Sequence, residues 1–399
     1  MKKFRDYRMH LYPEYVVGEG VTKEVGKLIK KHGGTKVLVV GYGADVIPDL
    51  YAVVRQSLTE EGLPFVEVPG VIANPRRTLV DKAVQLAKDE KIDFVLGLGG
   101  GSSTDSCKAI AWGACYDGDW WDFYSRKASP TKKLPVGIVN TIAGSGSETS
   151  KASVILDDVD TKRKMGLNSE SARPVFAIED PVNSYTLPPI QTAIGGIDVL
   201  SHTFDCFFSP FSSMLSDEWA SGLMRTVVHF LPIAVAEPTN YEARFQLMLC
   251  CPFAINGITT IGRQYPSPGA SASHPLETVS SVYDKQHGQA LAIIMPAILQ
   301  RFVDEGDAGV VSRVADFGNR VFGVPIDLQD LKATANEGIR RFHGWIRGFG
   351  LPKTFTELGL PPEAPEVLAE EIHYGKDGKL DLFLPMTKDE VIAFYKSLM

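Results

Sequence analysis

Short runs of apolar, β-branched residues alternate with helical patterns through the first half of this 399-residue chain. KVLVVG (36–41), DFVLGLGGG (93–101) and LPVGIVNT (134–141) are apolar on both faces, and 74–92 has the spacing of a helix with its loop. Such strands, separated by helices, are typical of a parallel sheet covered by helices on both sides. We therefore predict an α/β domain of the nucleotide-binding type.

The pattern changes after about residue 186. The later segments have helical spacing without a convincing strand, and a Leu-Pro-Pro turn at 187–189 separates the two patterns. The sequence thus predicts an α/β domain over 1–186 and an all-helical domain over 187–399.

Composition narrows the class of protein. Lys and Arg number 41 against 48 Asp and Glu, a net charge of −7, with 44% hydrophobic residues. This balance is typical of a soluble globular protein and disfavours a nucleic-acid partner. Apolar runs are too short to span a bilayer, the N-terminus lacks the features of a secretory signal, and five cysteines contain no CxxC pair. We expect a cytoplasmic protein with reduced thiols and no membrane partner. Separately from the composition, we expect the chain to form a homodimer.

Two glycine-rich turns each follow a predicted strand. One turn runs through Gly99–Ser103, and the other is NTIAGSGSETS (140–150). Glycines allow backbone N–H groups to approach a phosphate, and a following helix N-terminus favours an anion. The carboxyl ends of parallel strands lie at one edge of a sheet, so both turns are predicted to converge there. The alternative is that each turn is purely structural, with a Ser or Thr helix cap.

Four side chains of the second half are candidate metal ligands. Asp198 and His202 are four residues apart and share one helix face, whereas His274 and His287 are 13 residues apart. On one straight helix these two histidines would lie on opposite faces, so they share a site only across a bend. Carboxylate and imidazole groups bind divalent metals. The alternatives are a local Asp–His hydrogen bond and ordinary polar residues at helix ends.

Together these motifs resemble the iron-containing, or group III, alcohol dehydrogenases, and most closely the butanol dehydrogenase branch. The resemblance covers most of the chain and follows the family's motif order: IANPRRTLVD, GGGSSTDSCKAIA, NTIAGSGSETS, IEDP, GGIDVLSHTFDCFFS and HPLETVSSVYDKQHGQALAIIMP. It implies a dehydroquinate synthase-like architecture, with a parallel-sheet domain that binds NAD(P), an all-helical domain that binds one divalent metal, and substrate between them.

The resemblance also implies roles for individual residues. It assigns the metal ligands, and with them catalysis, to Asp198, His202, His274 and His287. It places the cofactor phosphates at Gly100, Gly101 and Ser102, with Asp105, Thr141, Ser147 and Lys164 on the cofactor side. Iron is the metal expected from the family, and zinc suits the same ligands.

The metal motif departs from the family pattern. The last two ligands are usually one residue further apart, and Thr278 occupies the place of a second histidine. In another branch the histidine of HPL is that second residue, and the ligand lies four positions earlier, at Ala270 here, which would leave three ligands. The spacing favours His274 as the ligand.

The cofactor motif departs as well. After the first strand, GYGADVIP (41–48) carries Asp45 and Ile47 where the butanol branch often has Ser and Lys. A carboxylate accepts hydrogen bonds from ribose hydroxyls and repels a 2′-phosphate. The sequence therefore favours NAD(H) over NADP(H), although Asp45 also suits a turn cap.

The functional hypothesis is metal-dependent hydride transfer between NAD(P)H and a primary alcohol or its aldehyde. One alternative is a reductase of an acid or phosphonate aldehyde, with Arg263 binding the anion. Another is a dehydroquinate synthase-like lyase, and a third is a non-catalytic module. The aromatic residues Phe204, Phe207, Phe208 and Tyr265 suit an apolar substrate wall and equally suit the core.

Overall fold

The structure is a computed structural model that describes residues 13–211, 213–263 and 271–399. Ala270 and Tyr265 lie outside the described residues. The strands are β1 Glu14–Val17, β2 Val37–Gly41, β3 Phe65–Val68, β4 Phe94–Leu98, β5 Val136–Asn140, β6 Ala152–Leu156, β7 Lys164–Asn168, β8 Phe176–Glu179, β9 Lys379–Leu380 and β10 Met386–Thr387. The helices are α1 Val25–Lys31, α2 Pro48–Glu60, α3 Arg77–Asp89, α4 Gly101–Gly113, α5 Trp121–Tyr124, α6 Pro189–Phe207, α7 Met214–Ala236, α8 Tyr241–Ile255, α9 Val279–Val282, α10 His287–Glu305, α11 Ala308–Phe322, α12 Leu331–Arg347, α13 Ala364–Glu370 and α14 Lys388–Ser397.

Six parallel strands form one sheet in the order β1-β8-β5-β4-β2-β3. Alternate residues of β2 enter two different cores: Leu38 and Val40 pack with α3 and α4, whereas Val37 and Val39 pack with α1 and α2. Burial on both faces explains why these strands are apolar throughout. The predicted parallel-sheet domain is confirmed, and its strands β2, β4 and β5 lie within the predicted runs.

The chain divides into two compact units. The described residues up to Leu187 form one unit together with Thr239–Asn256, which we call the α/β unit. Pro188–Pro238 and Gly257–Met399 form the other, which we call the helical unit. The division between Leu187 and Pro188 lies next to the predicted boundary. The structure differs from the prediction by placing α8 in the α/β unit, where Thr149 donates a hydrogen bond to Pro252 O (3.2 Å).

The described part of the helical unit is helical apart from the short antiparallel pair of β9 and β10. Among the described residues, α7 alone has the length and apolar composition of a membrane span. Its Asp217, however, pairs with Arg263 and Arg313 of the same unit. The helix also packs against α6 and α11.

One glycine allows α10 to approach α6. A Cβ on Gly288 would lie 2.3 Å from the backbone oxygen of Ile194. Gly288 directly follows His287, the first residue of α10, and Ile194 lies one helical turn before Asp198. The absence of a side chain at Gly288 therefore sets the separation of the two helices that carry candidate ligands.

Gly288→Ala tests this contact. The new methyl group would meet backbone atoms that cannot move away cheaply, so we expect the free energy of unfolding to fall by about 1–3 kcal/mol despite the better helix propensity of alanine. Urea unfolding followed by circular dichroism measures the change. Gly344→Ala is the matched control, because a Cβ on this α12 glycine meets nothing within 4 Å. Equal stability of the two variants would contradict the proposed constraint.

Candidate active site

Helix α6 presents three polar side chains on one face of the helical unit. Asp198, His202 and Asp205 occupy positions i, i+4 and i+7, so they lie along one stripe of the helix. The side chains of Asp198 and His202 are mostly buried, with 14% and 13% of their surface exposed. The predicted common face of Asp198 and His202 is present in the structure.

His202 is held with one ring nitrogen available. Its Nδ1–H donates to the backbone oxygen of Asp198 (2.8 Å), which leaves Nε2 for another partner. Burial lowers the pKa of His202 to about 4, so the imidazole is neutral at physiological pH. A metal ligand must be neutral imidazole, and His202 therefore meets this requirement.

A bend in the chain brings the other two histidines to the same place. His274 begins a single 3₁₀ turn, α9 follows it, and extended backbone at Gln286 precedes α10. The imidazole centroids lie 4.9 Å apart for His202–His274 and 5.1 Å apart for His274–His287. His287 Nε2 lies 3.8 Å from Asp198 Oδ1. The four predicted ligands thus come together, and the predicted bend before His287 is present.

Two carboxylates that the sequence analysis missed contact these histidines. Glu277 Oε2 accepts a hydrogen bond from His287 Nδ1 (2.5 Å). Asp205 accepts hydrogen bonds from the backbone N–H groups of Ser273 (2.9 Å) and His274 (3.1 Å), so it fixes the segment that carries His274. The position of Asp205 on the α6 stripe was a usable signal. For Glu277, nothing in the spacing indicated a contact with His287.

Unpartnered atoms at this site suit a bound cation. Asp198 Oδ1 and His274 Nε2 are buried without a hydrogen-bond partner among the described residues, whereas His274 Nδ1 lies 3.0 Å from Asp205 Oδ2. Such groups require a partner, and the set of one carboxylate and three imidazoles is suited to iron or zinc. The residues therefore fit a divalent ion. Within the described ranges, however, no three His, Cys, Asp or Glu side chains are already close enough to form a closed metal site.

The two glycine-rich turns of the α/β unit touch each other. A Cβ on Gly100 would lie 2.4 Å from Ile142 Cγ2, and one on Gly101 would lie 2.3 Å from Ser145 Oγ. Gly101 and Ser102 begin α4, so their N–H groups belong to a helix N-terminus. The predicted convergence of the turns is therefore observed, in a geometry suited to a phosphate.

Asp105 and Ser147 hold the second turn in place. Ser147 Oγ donates to Asp105, and the other oxygen of Asp105 accepts from the backbone N–H of Val154 (3.0 Å). The ammonium of Lys108 contacts Ser147 O (2.7 Å), Ser147 Oγ (2.7 Å) and Ala152 O (2.6 Å). Burial lowers the pKa of Lys108 to about 8, which leaves it charged at neutral pH. Asp105 and Ser147 thus shape the turn, and their direct contact with a cofactor stays a prediction.

The remaining cofactor candidates lie at different places in the α/β unit. Thr141 is buried directly after β5, and its N–H donates to Asn140 Oδ1 (2.9 Å). Asp45 is exposed in the loop after β2. Lys164 begins β7, opposite Leu156 of the separate β6–β7 hairpin. Their roles toward a cofactor stay predictions.

A cavity of about 590 Å³ lies within the α/β unit, beyond the carboxyl ends of three strands. Thr22 follows β1, Val46 and Ile47 follow β2, and Val182 and Asn183 follow β8. Asp45 directly precedes the exposed wall residue Val46. Ligands of open parallel sheets bind at this edge.

Arg263 does not have the position that its hypothesised role requires. Only 3% of the residue is exposed, and its guanidinium donates to Asp217 and to the backbone oxygen of Cys206. Arg313 binds the same Asp217 carboxylate. The structure therefore contradicts the hypothesis that Arg263 anchors an anionic substrate, because its charge is already paired inside the helical unit.

The α/β unit with its glycine-rich turns and the helical unit with its candidate metal ligands point to a dinucleotide-dependent oxidoreductase. The similarity of the chain to known proteins identifies its family. Residues 13–181 match the iron-containing alcohol dehydrogenase family, and residues 192–399 match the C-terminal domain of the Fe-containing alcohol dehydrogenase family. The chain belongs to the iron-containing alcohol dehydrogenase family, a family of enzymes, and the predicted family is confirmed.

Several relatives span nearly the whole chain. NADH-dependent butanol dehydrogenase A of Clostridium acetobutylicum is 31% identical over 95% of this chain and 96% of its own length. The crystal structure of NADH-dependent butanol dehydrogenase A from Thermotoga maritima is 32% identical, with a TM-score of 0.90 and full coverage of both chains. The NADPH-dependent aldehyde reductase YqhD of Escherichia coli is 28% identical, covering 92% of each chain. These similarities do not favour the lyase alternative.

Lys108→Met tests the network below the second glycine-rich turn. The change leaves Asp105 and several carbonyl oxygens without their buried cation, so we expect the free energy of unfolding to fall by about 3–5 kcal/mol. Denaturant unfolding of the purified variant measures this loss. Lys82→Met, at an exposed position of α3, is the control and should change stability by no more than about 0.5 kcal/mol. A similar, small effect of both substitutions would contradict the assigned role of Lys108.

Proposed function

We propose that this enzyme transfers a hydride reversibly between NADH and a primary alcohol or its aldehyde, with a divalent metal, preferably Fe²⁺, in the helical unit. The observation that carries the proposal is the convergence of Asp198, His202, His274 and His287, with unpartnered buried atoms on Asp198 and His274. The relatives named as butanol dehydrogenases and aldehyde reductases support the substrate class.

The ligand residues prepare the site for an oxygen-containing substrate. His202 Nδ1 donates to the backbone oxygen of Asp198, and His287 Nδ1 donates to the carboxylate of Glu277. The Nε2 atom of each ring therefore points away from these acceptors. A divalent ion held by these residues would act as a Lewis acid toward the alcohol or aldehyde oxygen. Partial burial of the ligands keeps competing water scarce and strengthens electrostatic interactions.

The α/β unit supplies the cofactor site. The N–H groups at Gly101 and Ser102, at the start of α4, are positioned to bind the pyrophosphate. Glycine at 100 and 101 allows the second turn to pack directly against the first, because a side chain there would occupy space already filled by Ile142 and Ser145. We place the adenosine end in the 590 Å³ cavity, between the apolar side chains Val46 and Val182.

NADH is preferred over NADPH in this proposal because Asp45 precedes the cavity wall. Its carboxylate suits ribose hydroxyls and repels a 2′-phosphate, and Ile47 offers no positive charge. Two relatives named as NADH-dependent support this choice, whereas the E. coli relative is named as NADPH-dependent. The homodimer and the cytoplasmic location expected from the sequence stay predictions.

Absorbance at 340 nm with a panel of aldehydes, combined with metal analysis of protein purified without oxygen, tests the activity. We expect NADH oxidation with short aliphatic aldehydes and about one iron per chain. His287→Ala removes a ligand and should lower both metal content and kcat/KM by more than about 100-fold.

Thr278→Ala is the control for the ligand variant. Its hydroxyl donates to Leu368 O (3.3 Å), away from the ligand set, so activity and metal content should be retained. Full activity and full metal content in His287→Ala would overturn the site assignment. No nicotinamide oxidation by the wild-type enzyme with any aldehyde would overturn the function.

The double variant Asp45→Ser/Ile47→Lys tests cofactor choice. Removing the carboxylate and adding an ammonium near the 2′-position should shift the NADH/NADPH ratio of kcat/KM toward NADPH by about tenfold or more, equivalent to about 1.4 kcal/mol. Initial rates with both cofactors measure the ratio. Asp89→Ser, at an exposed position of α3 that does not line the cavity, should leave the ratio unchanged and serves as the control. An unchanged ratio in the double variant would contradict the role of Asp45.

A further inference from the structure

Glu277 is a buried carboxylate that no sequence motif assigned. Only 2% of its side chain is exposed, although carboxylates are rarely so deeply buried without a partner. Its Oε2 accepts from His287 Nδ1 (2.5 Å) and Ser280 Oγ (2.7 Å), and its Oε1 accepts from the Ser280 N–H (2.9 Å). The carboxylate is therefore fixed by α9 on one side and directed at His287 on the other.

This contact determines which nitrogen of His287 carries the proton. A carboxylate without a proton is only an acceptor, so His287 Nδ1 must donate and Nε2 must be the bare nitrogen. The bare Nε2 faces Asp198 Oδ1 at 3.8 Å. His287 is the half-buried first residue of α10, and without Glu277 its Nδ1 would lose the acceptor that favours this tautomer.

We propose that Glu277 is a positioning residue that holds His287 in the Nδ1–H tautomer and orients its Nε2 toward the ligand set. This inference rests on the proposed metal site and assigns to Glu277 a role in metal affinity through His287. Glu277 lies on the short segment between His274 and α9, so one connection carries both a ligand and the residue that orients the next ligand. Such carboxylate–histidine partners typically contribute 10–100-fold to metal affinity.

Two readouts test the proposal without relying on turnover. The first is ¹⁵N NMR of histidine-labelled apo-protein, with the His287 signals assigned from His287→Ala. We expect the Nδ1–H tautomer in the wild type and a mixture of tautomers in Glu277→Ala. The second is chelator competition for Zn²⁺ and Fe²⁺, in which Glu277→Ala should bind about 10–100-fold more weakly than the wild type.

Glu277→Gln keeps the shape of the side chain and can still accept from the Ser280 N–H, so it serves if the alanine variant does not fold. Its amide lacks the charge that favours the Nδ1–H tautomer, and we expect a metal affinity between those of the wild type and Glu277→Ala. Thr278→Ala is the control, because it alters the adjacent residue without touching His287. It should retain the wild-type tautomer and affinity.

One result would contradict the positioning role of Glu277, and another would contradict the proposed function. If folded Glu277→Ala, or Glu277→Gln in its place, shows the wild-type tautomer and metal affinity within twofold of the wild type, the positioning role is wrong. If the wild type itself binds neither Zn²⁺ nor Fe²⁺, the proposed function fails. The tautomer measured in the apo-protein still decides the role of Glu277, so the two failures are distinguishable.

Discussion

The close approach of α10 to α6 is the constraint on which the candidate site depends. Gly288 faces the backbone oxygen of Ile194, and a Cβ there would come within 2.3 Å of it. Because the contact is between backbone atoms, no flexible side chain lies there that could adjust if the helices shifted. The backbone contact between α10 and α6 therefore sets the position of His287 relative to Asp198. Ligand side chains alone could not achieve this placement, since each is attached to a different segment of the chain.

Local features of the fold and site were predictable from the sequence. The strands β2, β4 and β5 are continuous apolar runs because both faces of the sheet are covered. The common face of Asp198 and His202 follows from helical periodicity, and the bend before His287 follows from a spacing that one straight helix cannot accommodate. Each of these features depends on residues within about 20 positions of one another, and the geometry of a helix or strand fixes their relative placement.

Contacts between distant segments were not predictable in the same way. The α8 segment has ordinary helical spacing, and nothing in that spacing shows that it packs in the α/β unit. Arg263 illustrates the same limit, because a lone arginine in a loop suits an anionic substrate as well as a buried carboxylate. Only the fold shows that Asp217 is its partner. Glu277 was missed because its contact with His287 depends on the path of the intervening turn.

The distribution of charge in the helical unit explains why a cation suits this site. Asp205 and Glu277 are buried beside the histidines, but serine and backbone donors satisfy them. Asp198 differs, because its Oδ1 is buried without a hydrogen-bond partner among the described residues. His202 remains neutral and contributes no charge to offset this carboxylate. A buried charge is costly unless it is paired or bound to a metal, so the local arrangement around Asp198 favours a divalent ion.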